Sequence, residues 1–274
     1  MTARRSALIN VMCDAARKAS RGLVRDFGEV EHLQVSVKGP ADYVTEADRR
    51  AERTLKAELQ KARPAFGFLM EEAGASAGAD ASQRWIVDPL DATTNFLHGI
   101  PHFCISIALE RDGELVAGVV HDPLKDETYW AEKGIGAYVN DRRLRVSARR
   151  SLGDALLATG IPFGARPGKE AFLSALRRAM ETTAGVRRFG SAALDLAYVA
   201  AGRFDGFWET GLSPWDVAAG IVLVREAGGF VTDLKGGEDM LHGESILAAN
   251  PALHATLARM LAEAMATPVP AIRG

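Results

Sequence analysis

The chain has 274 residues, 33 Lys+Arg against 35 Asp+Glu and a formal net charge of −2, a balance that argues against a dedicated nucleic-acid binder and against a polybasic membrane-surface protein. At 47% hydrophobic and 25% charged, it is composed like an ordinary globular protein, long enough for one large domain or two intimate halves with a core that needs no staples. Cys13 and Cys104 make no disulfide framework and fit a reducing cytoplasm, and no apolar run approaches the roughly 18–20 residues of a membrane span.

The basic residues of 1–5 lead into an amphipathic stretch containing Asp14, Arg17 and Lys18, not into the apolar core of a signal peptide. Residues 4–27 read as a helix, with Leu8, Val11, Met12, Ala15, Ala16, Ala19 and Leu23 recurring at three- and four-residue steps. Residues 46–61 read as a second, with Ala47, Ala51, Leu55 and Leu59 in one stripe and Thr45 with Asp48 as an N-terminal capping box. Apolar runs at 66–70 and 85–87 each end in acid, Glu71-Glu72 and Asp88, and the Gly-, Ala- and Ser-rich 73–82 between them reads as a loop. From 102 to about 139, the runs 103–109, 116–120 and 128–131, separated by turns such as Asp112-Gly113, predict antiparallel sheet. Beyond about 150 strands and helices alternate: strands at 156–159, 186–189, 204–208, 230–232 and 246–248, helices at 169–182, 191–201, 215–227 and 252–265. Gly202 and Gly228-Gly229 fall where helix C-caps belong. The pattern predicts an α+β half over 1–145 and an α/β half over 146–274, sharing one core.

The informative feature is where the carboxylates sit. In Asp88-Pro89-Leu90-Asp91-Ala92-Thr93-Thr94-Asn95, two acids three residues apart flank a Pro-containing turn. They can point two carboxylates and a backbone carbonyl into one space, the oxygen set a hard divalent cation wants. Thr93 and Thr94 follow at a helix start, which is a ready phosphate site. Singly, each acid has an ordinary reading. Asp88 and Asp91 suit a turn and an N-cap, Asp48 a capping box, Glu71-Glu72 a solvated loop, and Asp216 a first-turn dipole partner. Lys38 alone reads as a surface lysine, Cys13 and Cys104 as inert buried thiols, and the histidines lack zinc spacing. These separate readings fail together, because four strand ends or helix starts all carry acids.

The segments Asp42-Tyr43-Val44-Thr45-Glu46-Ala47-Asp48, Glu71-Glu72, Trp85-Ile86-Val87-Asp88-Pro89-Leu90-Asp91-Ala92-Thr93-Thr94-Asn95-Phe96 and Trp215-Asp216-Val217-Ala218-Ala219-Gly220 resemble, in order and spacing, the inositol monophosphatase family. The resemblance runs from about Lys38 to Asn250. Leu157-Ala158-Thr159-Gly160-Ile161-Pro162-Phe163 and Gly190-Ser191-Ala192-Ala193-Leu194-Asp195-Leu196-Ala197-Tyr198-Val199-Ala200-Ala201-Gly202-Arg203 look closest to its bacterial SuhB-type branch.

The resemblance implies a five-layer αβαβα sandwich of mixed α+β and α/β character, and Mg²⁺-dependent, lithium-sensitive hydrolysis of a small phosphate monoester. It implies that Glu71, Asp88 and the carbonyl of Leu90 bind one Mg²⁺, that Asp88, Asp91 and Asp216 bind a second, and that Glu71 helps hold a third through water. It further implies that Thr93 and Glu71 orient the attacking water, that Asp48 pairs with the threonine, that Lys38 lies near the site and that Thr45 fixes the loop. Ala92 and Thr93 would offer backbone N–H groups to phosphate. Glu209 would meet the substrate's hydroxyls, Ala192 would lie in the substrate-side segment, and the protein would be a homodimer. The substrate implied is inositol 1-phosphate or a similar polyol monophosphate. Histidinol phosphate, a sugar phosphate or a nucleotide 3′-phosphate are alternatives, as is a SuhB-like regulatory role in transcription complexes. Against that role, Arg142-Arg143, Arg149-Arg150 and Arg187-Arg188 read as solvated edges or salt-bridge partners; for the larger substrates, Arg166 and Lys169 offer contacts to a leaving group, with a solvated turn as their simpler reading. One departure is clear: the family's usual Asp-Pro-Leu-Asp-Gly-Thr has Ala92 in place of its glycine. That exchange is free if the backbone is helical there and costs about 1 kcal/mol or more if φ is positive.

Overall fold

The computed structural model describes residues 5–27, 29, 35–39, 42–164, 166–243 and 245–267, the side chains of 35–39 and 42–44 excepted. Helix α1 (Ala7–Phe27) occupies most of the predicted 4–27, residue 4 lying outside the described residues. A hairpin, β1 (Val35–Gly39) and β2 (Asp42–Thr45), leads into α2 (Glu46–Ala62). The expected capping box is present at that junction: Thr45 accepts from the Ala47 and Asp48 N–H groups while Asp48 Oδ2 accepts from the Thr45 N–H at 2.8 Å.

An eight-stranded sheet follows, built from β3 (Phe66–Met70), β4 (Gly74–Ser76), β5 (Asp80–Asp91), β6 (Cys104–Arg111), β7 (Glu114–Asp122), β8 (Glu127–Glu132), β9 (Gly136–Val139) and β10 (Arg142–Arg143), with the short α3 (Thr93–Leu97) after β5. Its order is β10-β9-β8-β7-β6-β5-β3-β4, antiparallel except for the β3–β5 pair. The predicted 73–82 loop is corrected here. Residues 74–76 pair with β3 and β5 starts at Asp80, so the central strand is 12 residues long. Backbone pairing extends it through Ala81–Arg84, where side-chain polarity hides the strand.

A second, five-stranded sheet has the order β12-β11-β13-β15-β14, from β11 (Leu156–Thr159), β12 (Gly185–Arg187), β13 (Gly206–Thr210), β14 (Phe230–Thr232) and β15 (Ser245–Ala249). Its helices are α4 (Lys169–Thr182), α5 (Ala192–Ala200), α6 (Pro214–Glu226) and α7 (His254–Ala266).

Period-two alternation on the large sheet sorts its side chains to two cores. Met70, Trp85, Val87, Ile105, Ile107 and Val119 join Leu23, Leu55 and Leu59 of α1 and α2. Ile86, Ala108, Val120, Tyr129 and Ala131 face the other way, onto α5 and α6, which also meet Ala158, Phe207, Ile246 and Ala248 of the small sheet. Every residue of α5 is buried, as are Val217 to Val224 of α6, because both helices lie between two sheets and have no solvent face. On the far side of the small sheet, Leu157, Trp208 and Leu247 pack on Ala175 and Ala179 of α4 and Leu257 and Leu261 of α7. The layers are therefore α1/α2, large sheet, α5/α6, small sheet, α4/α7, the αβαβα order the resemblance implied. Gly118 sets the spacing of the middle layers: a Cβ there would lie 2.6 Å from the Ala219 carbonyl of α6.

Candidate active site

In a regular strand Asp88 and Asp91, three apart, would point to opposite faces. Between them the register against β6 shifts: Asp88 opposes Ser106 and Asp91 opposes Cys104, so three steps on β5 match two on its partner. This bulge, at the strand's Pro89, returns both acids to the face covered by α5 and α6. The Leu90 N–H donates to Asp88 Oδ1 at 2.9 Å, and Leu90 itself stays in the α1/α2 core.

The starts of α5 and α6 meet these carboxylates. Asp91 Oδ2 accepts from Ser191 Oγ at 2.6 Å and from the Ala193 N–H at 2.9 Å, with Cys104 Sγ at 3.8 Å. Ser191 is also the N-cap of α5, and Ala192 is buried at the helix start. Asp216, third residue of α6, accepts the Ser213 N–H on Oδ2 at 2.7 Å. It therefore does cap the helix, with one oxygen. Glu71 follows β3, its N–H bonded to the Val87 carbonyl at 3.2 Å, and Glu72 is fixed by its N–H to Glu52 Oε2 at 2.9 Å.

The acids act on one another electrostatically. Burial pushes Asp88 well above the ordinary carboxylate range, helped by Glu71, Asp91 and Asp216. Asp216 is raised by burial and then by Asp91, Glu71 and Glu209. Asp91 is raised by burial, against the pull of its donors Ser191, Ala193, Cys104 and the Ala92 N–H. Among the described residues, no three His, Cys, Asp or Glu side chains are already gathered at metal-binding distance. Asp88 and Asp216, raised by burial and by neighbouring Glu71 and Asp91, belong to a crowded set of carboxylates with the chemistry of a hard-cation donor set, and the residues present fit Mg²⁺ on that ground.

Thr93, first residue of α3, donates its hydroxyl toward Asp48 Oδ1 at 3.0 Å and toward the Leu90 carbonyl at 3.1 Å. Asp48 is fully buried, held on its other oxygen by the Thr45 N–H and hydroxyl, and raised in pKa by that burial. Ala92 is left-handed, with φ 76° and ψ 46°, so the strained alternative for this position is the one that holds. Lys38 lies on β1, and its side chain is outside the described residues.

On the opposite side stands Glu209, at the end of β13, with its pKa pushed up to about 7 by burial and by Asp91, against Arg188 and Arg166. Gly160 makes room for it: a Cβ there would sit 1.9 Å from the Glu209 carboxyl carbon. Arg166 and Arg188 thus act electrostatically on Glu209, Arg166 on the side of its alternative reading as a leaving-group contact and Arg188 as more than a solvated edge. Ser191, Cys104 and Asp195 were not singled out as site residues. For Asp195 a signal existed, since it is the lone charge in an otherwise apolar helix.

Comparison with known proteins agrees with this geometry. The family model described as inositol monophosphatase matches residues 4–266. The chain is 62% identical to an inositol-1-monophosphatase of Mesorhizobium japonicum over 92% of its own length and 95% of that protein's. It is 47% identical to the Nus factor SuhB of Pseudomonas aeruginosa, over 89% of this chain and 91% of that one. The crystal structure of the extragenic suppressor protein SuhB from Bartonella henselae superposes with a TM-score of 0.91 at 60% identity, covering 93% of this chain and 98% of that one. Proteins of this family are generally metal-dependent. The chain belongs to the inositol monophosphatase family and is a phosphoric monoester hydrolase.

Proposed function

We propose that the chain hydrolyses inositol 1-phosphate and similar polyol monophosphates, with two or three Mg²⁺ ions held by Glu71, Asp88, the Leu90 carbonyl, Asp91 and Asp216. The observation that carries this reading is that Asp88 and Asp216 are each raised by burial and by the neighbouring Glu71 and Asp91, a crowding that bound cations would offset. The chemistry supplied by bound Mg²⁺ is charge neutralisation at the phosphoryl and leaving oxygens and a lowered pKa for water.

The chain's own residues do the rest. The Thr93 hydroxyl gives its proton to a hydrogen bond with Asp48, which leaves its lone pairs to accept from and orient the attacking water with Glu71. The raised pKa of Asp48 suits it to take up a proton through Thr93 as the water attacks. Backbone N–H groups at Ala92 and Thr93 meet the phosphate, with Lys38 nearby. Glu209 accepts a hydrogen bond from a hydroxyl of the substrate, beside Ala192. No Ser, Cys or His nucleophile is needed, and direct attack by water inverts at phosphorus.

The same resemblance supports a homodimer, lithium inhibition and a cytoplasmic setting. Two buried free thiols, Cys13 and Cys104, fit a reducing compartment, and among the described residues no helix is long and apolar enough to cross a membrane. A phosphate-release screen over inositol 1-phosphate, histidinol phosphate, a nucleotide 3′-phosphate and phenyl phosphate, with and without Mg²⁺ and Li⁺, tests the proposal. Release that requires Mg²⁺, is greatest from inositol 1-phosphate and falls with lithium is the expected result; no release from any substrate overturns it. The likeness to a protein named a Nus factor supports a second reading, a role in transcription complexes, tested by whether Asp91→Asn abolishes catalysis yet keeps a transcription-complex partner.

A further inference from the structure

The carboxyl of Asp195 stands bare. The residue is 1% exposed, its Oδ1 is fully buried, and that atom has no hydrogen-bond partner. Buried polar atoms are almost always paired, so such an atom calls for a ligand, a water or a reason. Its position supplies the reason. Asp195 lies four residues after Ser191 and three after Ala192, so it shares the face of α5 that meets Asp91. From the small sheet, the Glu209 carboxyl lies over the missing side chain of Gly160. Glu209 and Asp91 are close enough to raise the Asp195 pKa, and Arg188 counters them. Two carboxyls from two elements thus converge beside the metal-ligand cluster, one already read as a hydroxyl acceptor.

We propose that Asp195 is a second substrate-hydroxyl contact, acting with Glu209 to grip two hydroxyls of the polyol, and this rests on the phosphatase reading above. A polyol hydroxyl both donates and accepts, so it satisfies a carboxyl whether that group is ionised or protonated. Two such contacts on different carbons discriminate by hydroxyl pattern, which one contact does poorly, because a polar site left unpaired rejects the analogue lacking the group. Phenyl phosphate offers no hydroxyl on its leaving group and is indifferent to both carboxyls.

The test compares wild type with Asp195→Leu and Asp195→Asn at saturating Mg²⁺, on inositol 1-phosphate and phenyl phosphate, with melting curves for each protein. Leu branches at Cγ as Asp does, with bulkier methyl groups in place of oxygens, and suits an apolar helix, so melting curves establish whether the variant folds; Asn keeps the size and has a donor and an acceptor. The proposal expects Asp195→Leu to raise KM for inositol 1-phosphate about tenfold, the worth of one good hydrogen bond, and to leave kcat/KM for phenyl phosphate within about twofold. It expects Asp195→Asn to recover most of the loss, and the rise in melting temperature given by inositol 1-phosphate to shrink in the Leu variant alone. Equal losses on both substrates, or an unchanged KM in a folded Leu variant, overturn the role of Asp195 and leave the phosphatase reading intact. Wild-type protein that releases phosphate from neither substrate overturns both.

Discussion

Asp91 and Asp195 stand at the same end of α5, both buried, and the fold treats them in opposite ways. One oxygen of Asp91 takes a hydroxyl, a backbone N–H and a thiol, while Oδ1 of Asp195 takes nothing. The donors cannot be there to make Asp91 comfortable, since its pKa is raised in spite of them. They fix the direction of the carboxylate, which suits the ligand role proposed for Asp91, since a cation needs oriented ligands. A group that meets a substrate, bound and released at every turnover, is better left open on the side where the hydroxyl arrives. The same contrast separates Asp216, one oxygen tied to the Ser213 N–H, from Glu209, for which burial and charge alone set the pKa.

The largest expected effect comes from breaking the tied side of this comparison at Asp216. Asn accepts the Ser213 N–H as well as Asp does, so the cap survives the substitution Asp216→Asn. What is lost is one charge from the proposed cation site. Turnover should fall by orders of magnitude at saturating Mg²⁺, while the metal-free melting temperature holds or rises because a crowded acid has been neutralised. Steady-state kinetics beside calorimetry reads both, and a folded variant with most of its turnover would show Asp216 to be a cap alone.

Next in size is Ser191→Ala, which takes away the shortest donor to Asp91. Loss of a partner behind a metal ligand costs about 10–100-fold in metal affinity, so the Mg²⁺ concentration for half-maximal rate should rise by that order. The variant also loses the cap of α5, at about 1 kcal/mol of stability. Ser191→Thr keeps a hydroxyl for both tasks and should restore both readings. The preference for inositol 1-phosphate over phenyl phosphate should not move, since the hydroxyl grip is on the other side of the comparison.

Much of this was legible because it is local. The Thr45–Asp48 box, α4 and β3 follow from residues three or four apart and run where the pattern puts them. What the sequence hid is what distant chain supplies. Residues 74–76 carry no strand pattern and are extended only because the edge of β3 pairs with them. Ser191 reaches Asp91 across 100 positions, and Cys104 is a buried thiol as expected, yet it lies against the same carboxylate. The resemblance names Glu71, Asp88, Asp91 and Asp216 together, without the geometry that joins them. That Asp88 and Asp91 share a face depends on one extra residue in a strand pairing, which no spacing rule reports.

A smaller effect is a pH dependence of the metal-free protein. Asp88, Asp195 and Asp216 all have raised pKa values, so over the window between their unfolded and folded values the native state holds protons that the unfolded chain has released. Stability from these groups is complete at low pH and lost as pH rises through the folded values. Half-buried His102 and buried His121, lowered to about 4, act with the opposite sign, but only below their unfolded value of 6.5. Above that value only the raised acids still decide, Glu209 at about 7 among them, and the melting temperature of chelator-treated protein should fall as pH rises through about 7. Mg²⁺ should flatten or reverse the slope by stabilising the ionised cluster. Asp216→Asn and Asp195→Asn should each flatten it without metal, and a flat wild-type profile would mean that the acids are ionised in the native state already.

The smallest effect is expected at Ala92, between the tied Asp91 and the working Thr93. Its φ of 76° and ψ of 46° put an L side chain where the Cβ crowds the following carbonyl, at about 1–2 kcal/mol. Glycine removes that strain but brings a more flexible unfolded chain, an opposing cost of about 0.5–1 kcal/mol. The difference favours Ala92→Gly by roughly 0.5–1 kcal/mol, or about 1–4 °C in a chain somewhat longer than 250 residues. The backbone here already has the conformation that glycine prefers, so Asp91 and Thr93 should not move and the Mg²⁺ requirement should be unchanged. If Ala92 also crowds the phosphate, kcat/KM rises for inositol 1-phosphate and phenyl phosphate alike, because both present the same phosphoryl group; a gain confined to the polyol would place the crowding on the hydroxyl side. A melting temperature that drops on Ala92→Gly would show that the left-handed turn costs the alanine less than the unfolded chain's entropy costs the glycine.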